Sequence, residues 1–210
     1  MTTARPALDS HAARIPPSAP SRAATATATQ DELGRLRALC VHDLSTGAFN
    51  RRHLEMLAES EWTRALRHRR PLSILIFEPA AEVDGGEALP ERTLARIAYN
   101  VQAMLRGGGD ALGRYDQCRF AVLLPETDAD GTRLMAERLR RAVSRPVSDS
   151  TIGPIRALIG AATLRETCAG EKGWRGAMEL AENALARAHR LHDPMVLIEV
   201  AAPVTRWPVT

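Results

Sequence analysis

A thiol set between two guanidinium groups is the arrangement in this chain whose residue types could most directly do chemistry. Cys118 stands in Arg114-Tyr115-Asp116-Gln117-Cys118-Arg119-Phe120-Ala121-Val122-Leu123-Leu124-Pro125. Cations beside a cysteine favour its thiolate, so Arg114 and Arg119 could lower the pKa of Cys118, and the chemistry would then be redox. An ordinary turn cysteine is the simpler reading. Cys40, Cys118 and Cys168 lie far apart and form no CxxC pair, which speaks against a zinc site or a disulfide framework and fits a reducing cytoplasm. His42 and His53 have no partnering cysteine or carboxylate pattern and read as exposed polar positions. Glu91 opens a helical pattern, where an acid complements the helix dipole, and Arg106 closes it as a C-terminal cation, with Asp110 four residues on.

Composition sets the frame for these groups. The chain has 210 residues, 45% hydrophobic and 25% charged, with a net charge of +3 and a pI near 9.1. That is ordinary for a globular domain with a sizeable core. Lys172 is the only lysine among 28 basic residues. The arginines are scattered along helices that also carry acids, so no nucleic-acid footprint is expected. No apolar run is long enough for a membrane helix. Residues 1–29, rich in Ala, Ser, Thr and Pro, lack the apolar core of a secretory signal and read as a disordered arm.

The elements that must position these groups are legible from periodicity. Residues 30–42 read as a connecting helix, and Asp43 to Gly47 as a turn offering capping side chains. Leu54, Leu57, Ala58, Trp62 and Ala65 predict a helix over about 50–68. Leu72 to Phe77 reads as a short buried strand, and residues 79–90, with two prolines, as a loop. Glu91 to Arg106 is a helix ended by Gly107-Gly108-Gly109. Strands at about 111–115 and 120–124 form a hairpin whose turn is Asp116 to Arg119. A helix near 130–143, a strand at 155–164, a helix at 175–191 and a strand at 195–200 complete a domain spanning 43–200, and residues 201–210 form a tail. Trp62 is expected in the core; Trp174 precedes a helix, and Trp207 lies in the tail. From Leu72 the order is β-α-β-β-α-β-α-β. Its first six elements predict an α+β fold with a ferredoxin-like, mostly antiparallel sheet and their helices on one face.

Six segments in order resemble the GGDEF diguanylate cyclases. Asp43-Leu44-Ser45-Thr46-Gly47-Ala48-Phe49-Asn50-Arg51-Arg52 resembles the opening D-x-L-T-G-L-x-N-R-R. Pro71 to Phe77 resembles the first core strand. The hairpin resembles R-Y-G-G-D-E-F-A-V-L-L-P, with Asp116, Gln117, Cys118 and Arg119 in place of Gly-Gly-Asp-Glu. Ala136 to Arg140 resembles A-E-R-L-R, Ile159 to Ala162 resembles I-G-V-A, and Ala181 to Leu185 resembles A-D-x-A-L. The resemblance implies a nucleotide-cyclase-like GGDEF fold. It also implies a family activity, condensation of two GTP molecules to cyclic di-GMP on a dimer, which needs Mg²⁺, phosphate clamps and guanine-reading groups.

Carried over position by position, that resemblance leaves little of the machinery. Glu78 matches the acid that ends the first strand, and Ala80 the second acid of that motif. Cys118, a soft thiol, replaces a hard carboxylate, and Arg119 sets a positive charge where a cation would sit. Asp116 and Gln117 replace glycines that permit left-handed backbone and leave room for phosphate, and the charge of Asp116 would repel phosphate. Val83 and His189 stand where lysines clamp phosphate, and Asp193 near an arginine. Gly86 is nearest the guanine-reading asparagine, and Glu91 matches the following acid. Arg106 and Asp110 lie near the product-binding R-x-x-D, although Gly107 holds the arginine position. The expectation is a catalytically inactive domain with no metal, Mg²⁺ entering only with residual activity. It would work by protein contacts with a cyclic di-GMP phosphodiesterase, an active cyclase or a second copy of itself. The alternatives are a sensor that binds GTP or cyclic di-GMP weakly and, last, an active cyclase with an aberrant motif.

Overall fold

The computed structural model describes residues 41–81, 88–144, 153–165, 173–191 and 193–200. The expected arm, most of the connecting helix, the tail, and Lys172, Val83 and Gly86 lie outside these. Among the described residues nine elements follow one another: α1 (Arg51–His68), β1 (Leu72–Ala81), α2 (Glu91–Gln102), β2 (Ala111–Arg114), β3 (Phe120–Pro125), α3 (Ala129–Val143), β4 (Ile155–Leu164), α4 (Gly173–Leu191) and β5 (Met195–Val200). The strands form one sheet in the order β2-β3-β1-β4-β5. Among these strand pairs β4–β5 is parallel and the others are antiparallel.

Alternation along β1 places one core on each face of the sheet. Leu75 and Phe77 face the side covered by α2 and α3, where they meet Leu94, Ile97, Val101, Leu139 and Val143. Ile74 and Ile76 face the side covered by α1 and α4, against Leu54, Trp62, Trp174 and Leu185. The two helices of the first six elements thus share one face, as their order predicts. The remaining two cover the other, which is why β1 reads as a continuous apolar run rather than an alternating one.

The polar exception in that run is satisfied internally. Ser73 is fully buried. Its hydroxyl lies 2.8 Å from that of Thr163, donates to the carbonyl of Thr127 at 2.8 Å, and accepts from the Thr132 hydroxyl at 2.7 Å. Buried hydroxyls are tolerated when paired in this way, and the cluster pins the first turn of α3 to the middle of the sheet.

Four boundaries differ from the periodicity. Strand β1 continues through Pro79 to Ala81, where a loop is expected, because β4 pairs with it to the end while β3 stops opposite Phe77. Proline is tolerated where one side of a strand has no ladder to join. Helix α2 ends at Gln102, and Met104 and Leu105 follow in tight turns that bond to Val101 and Gln102. Arg106 is therefore a loop residue and not a helix-terminal cation. Asn50, not the Asp43–Gly47 turn, caps α1, accepting from the His53 amide at 2.9 Å. Trp174 lies inside α4 rather than before it, is 5% exposed, and donates to Glu59 at 2.5 Å.

Gly160 sets how closely α4 approaches the sheet. A Cβ there would lie 2.1 Å from the Leu185 nitrogen and 2.2 Å from the Ala181 oxygen. Both are backbone atoms that no rotamer change can move. Gly160→Ala is expected to destabilise the domain by on the order of 3 kcal/mol, read as a lower urea midpoint and melting temperature; unchanged melting would contradict this account of the packing.

Candidate functional site: the β2–β3 turn and its carboxylate ring

The β2–β3 hairpin carries the turn at the end of the sheet, and its strands are set by the core. Phe120 stacks on Phe77 with ring centroids 5.3 Å apart, which fixes β3 against β1. The turn closes through the Tyr115 and Asp116 amides, both donating to the Arg119 carbonyl at 2.8 and 3.2 Å. No residue from Asp116 to Arg119 has positive φ. The turn therefore needs none of the left-handed freedom that glycine supplies.

Asp116 organises the turn from inside. Its carboxylate accepts from the Arg119 amide at 2.9 Å, the Cys118 amide at 3.2 Å and the Arg119 Nε at 2.6 Å. Burial pushes its pKa upward, but the Arg119 side chain and these two amides outweigh burial and hold the carboxyl below the ordinary aspartate value. The charge of Asp116 is thus spent within the turn on Arg119.

Arg114 holds the turn from outside. Its side chain is only 10% exposed. Two parallel bonds of 2.6 and 2.7 Å reach the carboxylate of Glu91 at the start of α2, the fork geometry in which guanidinium binds best. A weaker contact of 3.4 Å reaches Asp43. The same guanidinium donates to the carbonyls of Asp116, at 3.1 Å, and Gln117. Asp43 in turn accepts from the Thr46 amide and hydroxyl at 2.9 and 2.7 Å. Burial raises Asp43, and Thr46 with Arg114 bring it below its ordinary value. The Glu91 carboxyl is held low chiefly by its bonds to Arg114. Glu91, read from the sequence as a helix-start acid, stands in the first turn of α2 and is also the partner of a turn arginine.

At Cys118 burial and nearby carboxylates outweigh the two flanking arginines. Partial burial pushes the thiol up, the carboxylates of Glu78 and Asp116 add to this, and Arg119 and Arg114 only partly offset them. The two arginines do not activate the sulfur because each is already neutralised by an acid of its own. The remaining expected residues fall into two groups. Glu78 lies in β1 beside the turn, with the His189 ring of α4 at 3.5 Å. Arg106 and Asp110 meet one another at 2.9 Å, and Arg106 also reaches the Thr127 hydroxyl at 2.7 Å and the Pro125 carbonyl at 3.3 Å. The Asp110 side chain is fully buried beneath it. Arg106 thus ties the loop after α2 to the end of β3.

Periodicity misses three participants. Tyr115 donates to Glu182 of α4 at 2.7 Å, and the Arg51 guanidinium lies 4.4 Å from its ring centre. Burial and the bond to Glu182 push the Tyr115 hydroxyl up to about 12, so it remains a donor at any physiological pH. Arg51, Tyr115 and Glu182 come from three elements far apart in the chain, and no spacing rule connects them.

As a magnesium site this constellation does not fit. Mg²⁺ takes hard oxygen ligands in an octahedral shell. Around the turn Glu78 is offset by a thiol and a guanidinium, and Asp116 is committed to Arg119. Among the described residues no group of three or more His, Cys, Asp or Glu is placed to hold a metal ion. None of the helices described is long and apolar enough to cross a membrane.

Comparison with known proteins gives this fold a family. The family model described as diguanylate cyclase, GGDEF domain matches residues 40–193. A probable diguanylate cyclase, DgcC of Escherichia coli K12, is 25% identical over 171 residues, covering 79% of this chain and 46% of the relative. The chain thus spans about half the length of that protein. Among solved structures, diguanylate cyclase SiaD of Pseudomonas aeruginosa, in complex with its activator SiaC, aligns with a TM-score of 0.65 at 22% identity, over 85% of this chain and 68% of that one. The coiled coil and GGDEF domain of DgcB from Caulobacter crescentus, in complex with c-di-GMP, aligns with a TM-score of 0.65 at 17% identity, covering 85% and 95%. The FimX GGDEF domain of Pseudomonas aeruginosa gives 0.63 at 20% identity, covering 76% and 99%. The five-stranded order, the helices on both faces and the match over residues 40–193 lead to one conclusion: the chain belongs to the GGDEF family.

Proposed function

We propose that this GGDEF domain does not make cyclic di-GMP and acts in the cytoplasm as a regulatory module of cyclic di-GMP signalling, through contacts with other proteins. The observation that carries this reading is the closure of the turn on itself. Arg119 occupies a position where the resemblance implies a metal-binding acid, and it is bonded to Asp116, which stands where the resemblance implies an open glycine. Transition-state stabilisation in phosphoryl transfer rests on a metal and on donors aimed at developing charge. Here the nearby cations are already matched to protein carboxylates. The partner is a cyclic di-GMP phosphodiesterase, an active cyclase or a second copy of the chain.

Incubated with GTP and Mg²⁺ or Mn²⁺, the full chain is expected to yield no cyclic di-GMP by chromatography. Formation of the product, abolished in Glu78→Ala, would sink the reading. The residual-sensor alternative is checked by calorimetric titration with GTP and with cyclic di-GMP, where no heat is expected at millimolar nucleotide.

The closed turn also has a stability signature. Arg114→Met removes the fork to Glu91 and both turn carbonyl contacts, and is expected to cost about 2 kcal/mol in urea unfolding and to speed amide exchange at Cys118 and Arg119. Asp43 and Asp116 have folded pKa values below the ordinary 3.8. Their contribution is therefore complete above pH 3.8 and is lost as pH falls below it through the lower folded values. An acid titration of stability should show this loss in the wild type, and a smaller one in Asp116→Asn. Equal acid sensitivity of the two proteins would contradict the assignment.

A further inference from the structure

Between α2 and α3, on the face away from the sheet, lies an open cleft of about 260 Å³ lined by Asn100, Ala103, Met104, Arg138, Arg141 and Ala142. Two contacts define the crossing. The Asn100 amide reaches the Ala142 carbonyl at 3.4 Å, and Arg138 reaches the Met104 carbonyl at 3.1 Å. The helices therefore run antiparallel along the cleft. Leu134, one helical turn from Arg138, is 64% exposed.

Charge is as uneven as polarity. Arg140 and Arg141 share the single carboxylate of Glu137, at 2.8 and 3.2 Å. Among the described lining residues the charged ones are Arg138 and Arg141, so the lining carries net positive charge. The rest of the lining is different: Ala103, Met104 and Ala142 are apolar. Apolar lining between cationic side chains is the anatomy of a protein-docking site. A small anion would need convergent donors, whereas Arg138 already donates to the Met104 carbonyl and Arg141 to Glu137; a longer segment can reach each arginine and the apolar lining together.

We propose that this α2–α3 cleft docks an acidic segment of a partner protein, which inserts one bulky apolar side chain over Ala103 and Met104 and sets flanking carboxylates against Arg138 and Arg141. The proposal rests on the reading of the chain as a protein-contact module and gives that module a surface and a partner chemistry.

The test is selection of displayed random 16-residue peptides on the full chain, followed by anisotropy titration of the enriched sequences. The expected outcome is enrichment of peptides with Asp or Glu flanking a Leu, Phe or Met. Binding should fall at least tenfold in Arg138→Glu/Arg141→Glu and equally in Ala103→Trp, which fills the cleft without changing charge. Both variants alter exposed residues, and unchanged melting curves confirm that they fold. No enrichment, peptides without acidic bias, or binding insensitive to both variants would overturn the proposal. Displacement of the peptides by micromolar cyclic di-GMP or inorganic phosphate would assign the cleft to a small anion and overturn it too. Peptide binding of this kind in a chain that converts GTP would refute the non-catalytic reading and leave the docking surface standing. Absence of both would do the reverse.

Discussion

The organisation of the candidate site depends on one guanidinium. Arg114 stands at the end of β2 with nearly all its side chain covered, and an arginine in that position must have its charge and donors met or the hairpin pays for desolvation. Glu91 meets it by a two-bond fork, Asp43 adds a longer contact, and two turn carbonyls take the rest. Those partners come from the opening turn, the first turn of α2 and the hairpin itself, so a single cation fixes three otherwise separate segments around one end of the sheet.

Around that cation the acids and bases pair off locally. Asp116 answers Arg119, Glu182 answers Tyr115, Asp110 answers Arg106, and His189 approaches Glu78. Such neutralisation explains why Cys118, flanked by two arginines in sequence, has its thiol pushed up rather than down. The field at the sulfur is set by the carboxylates that reach it and by burial, and a cation already bonded to an acid contributes little.

The fold was far more legible than the site. Heptad-like spacing in α1 and α4, the apolar run of β1 and the hairpin flanks each state their element, because burial on a sheet or helix face repeats at a fixed interval. Boundaries erred where tertiary pairing overrode local signals, as at Pro79, which β4 carries into the strand, and at Arg106, which lies beyond the last turn of α2. The identities of the turn residues were legible too, as was the poor fit of Cys118 and Arg119 to a hard cation. What could not be read was who binds whom. Glu91 and Arg114 are 23 positions apart, Tyr115 and Glu182 67. Long-range ion pairs have no period, so a helix-start acid and a buried arginine's partner look the same in a sequence.

The hairpin shows how a turn can be rewritten without loss of its scaffold. Strand β3 is anchored by Phe120 on Phe77 and by ladders to β1 and β2, none of which uses a residue of the turn. The turn in turn closes on Asp116 and Arg119, with backbone angles open to any residue. Its demands on the sequence are therefore local: an acid at the first position, a base at the fourth, and Arg114 beneath. Apart from Arg114, which bonds both the turn and Glu91 of α2, the turn shares few partners with the core, and residues that share no partners contribute nearly independently. A domain built this way can keep the outer faces of α2 and α3, which hang on the same core, whatever chemistry the turn does or does not perform. The proposed role through surface contacts asks only for that rigid core, and the buried hydroxyl cluster of Ser73, Thr132 and Thr163 fixes α3 to the sheet independently of the turn.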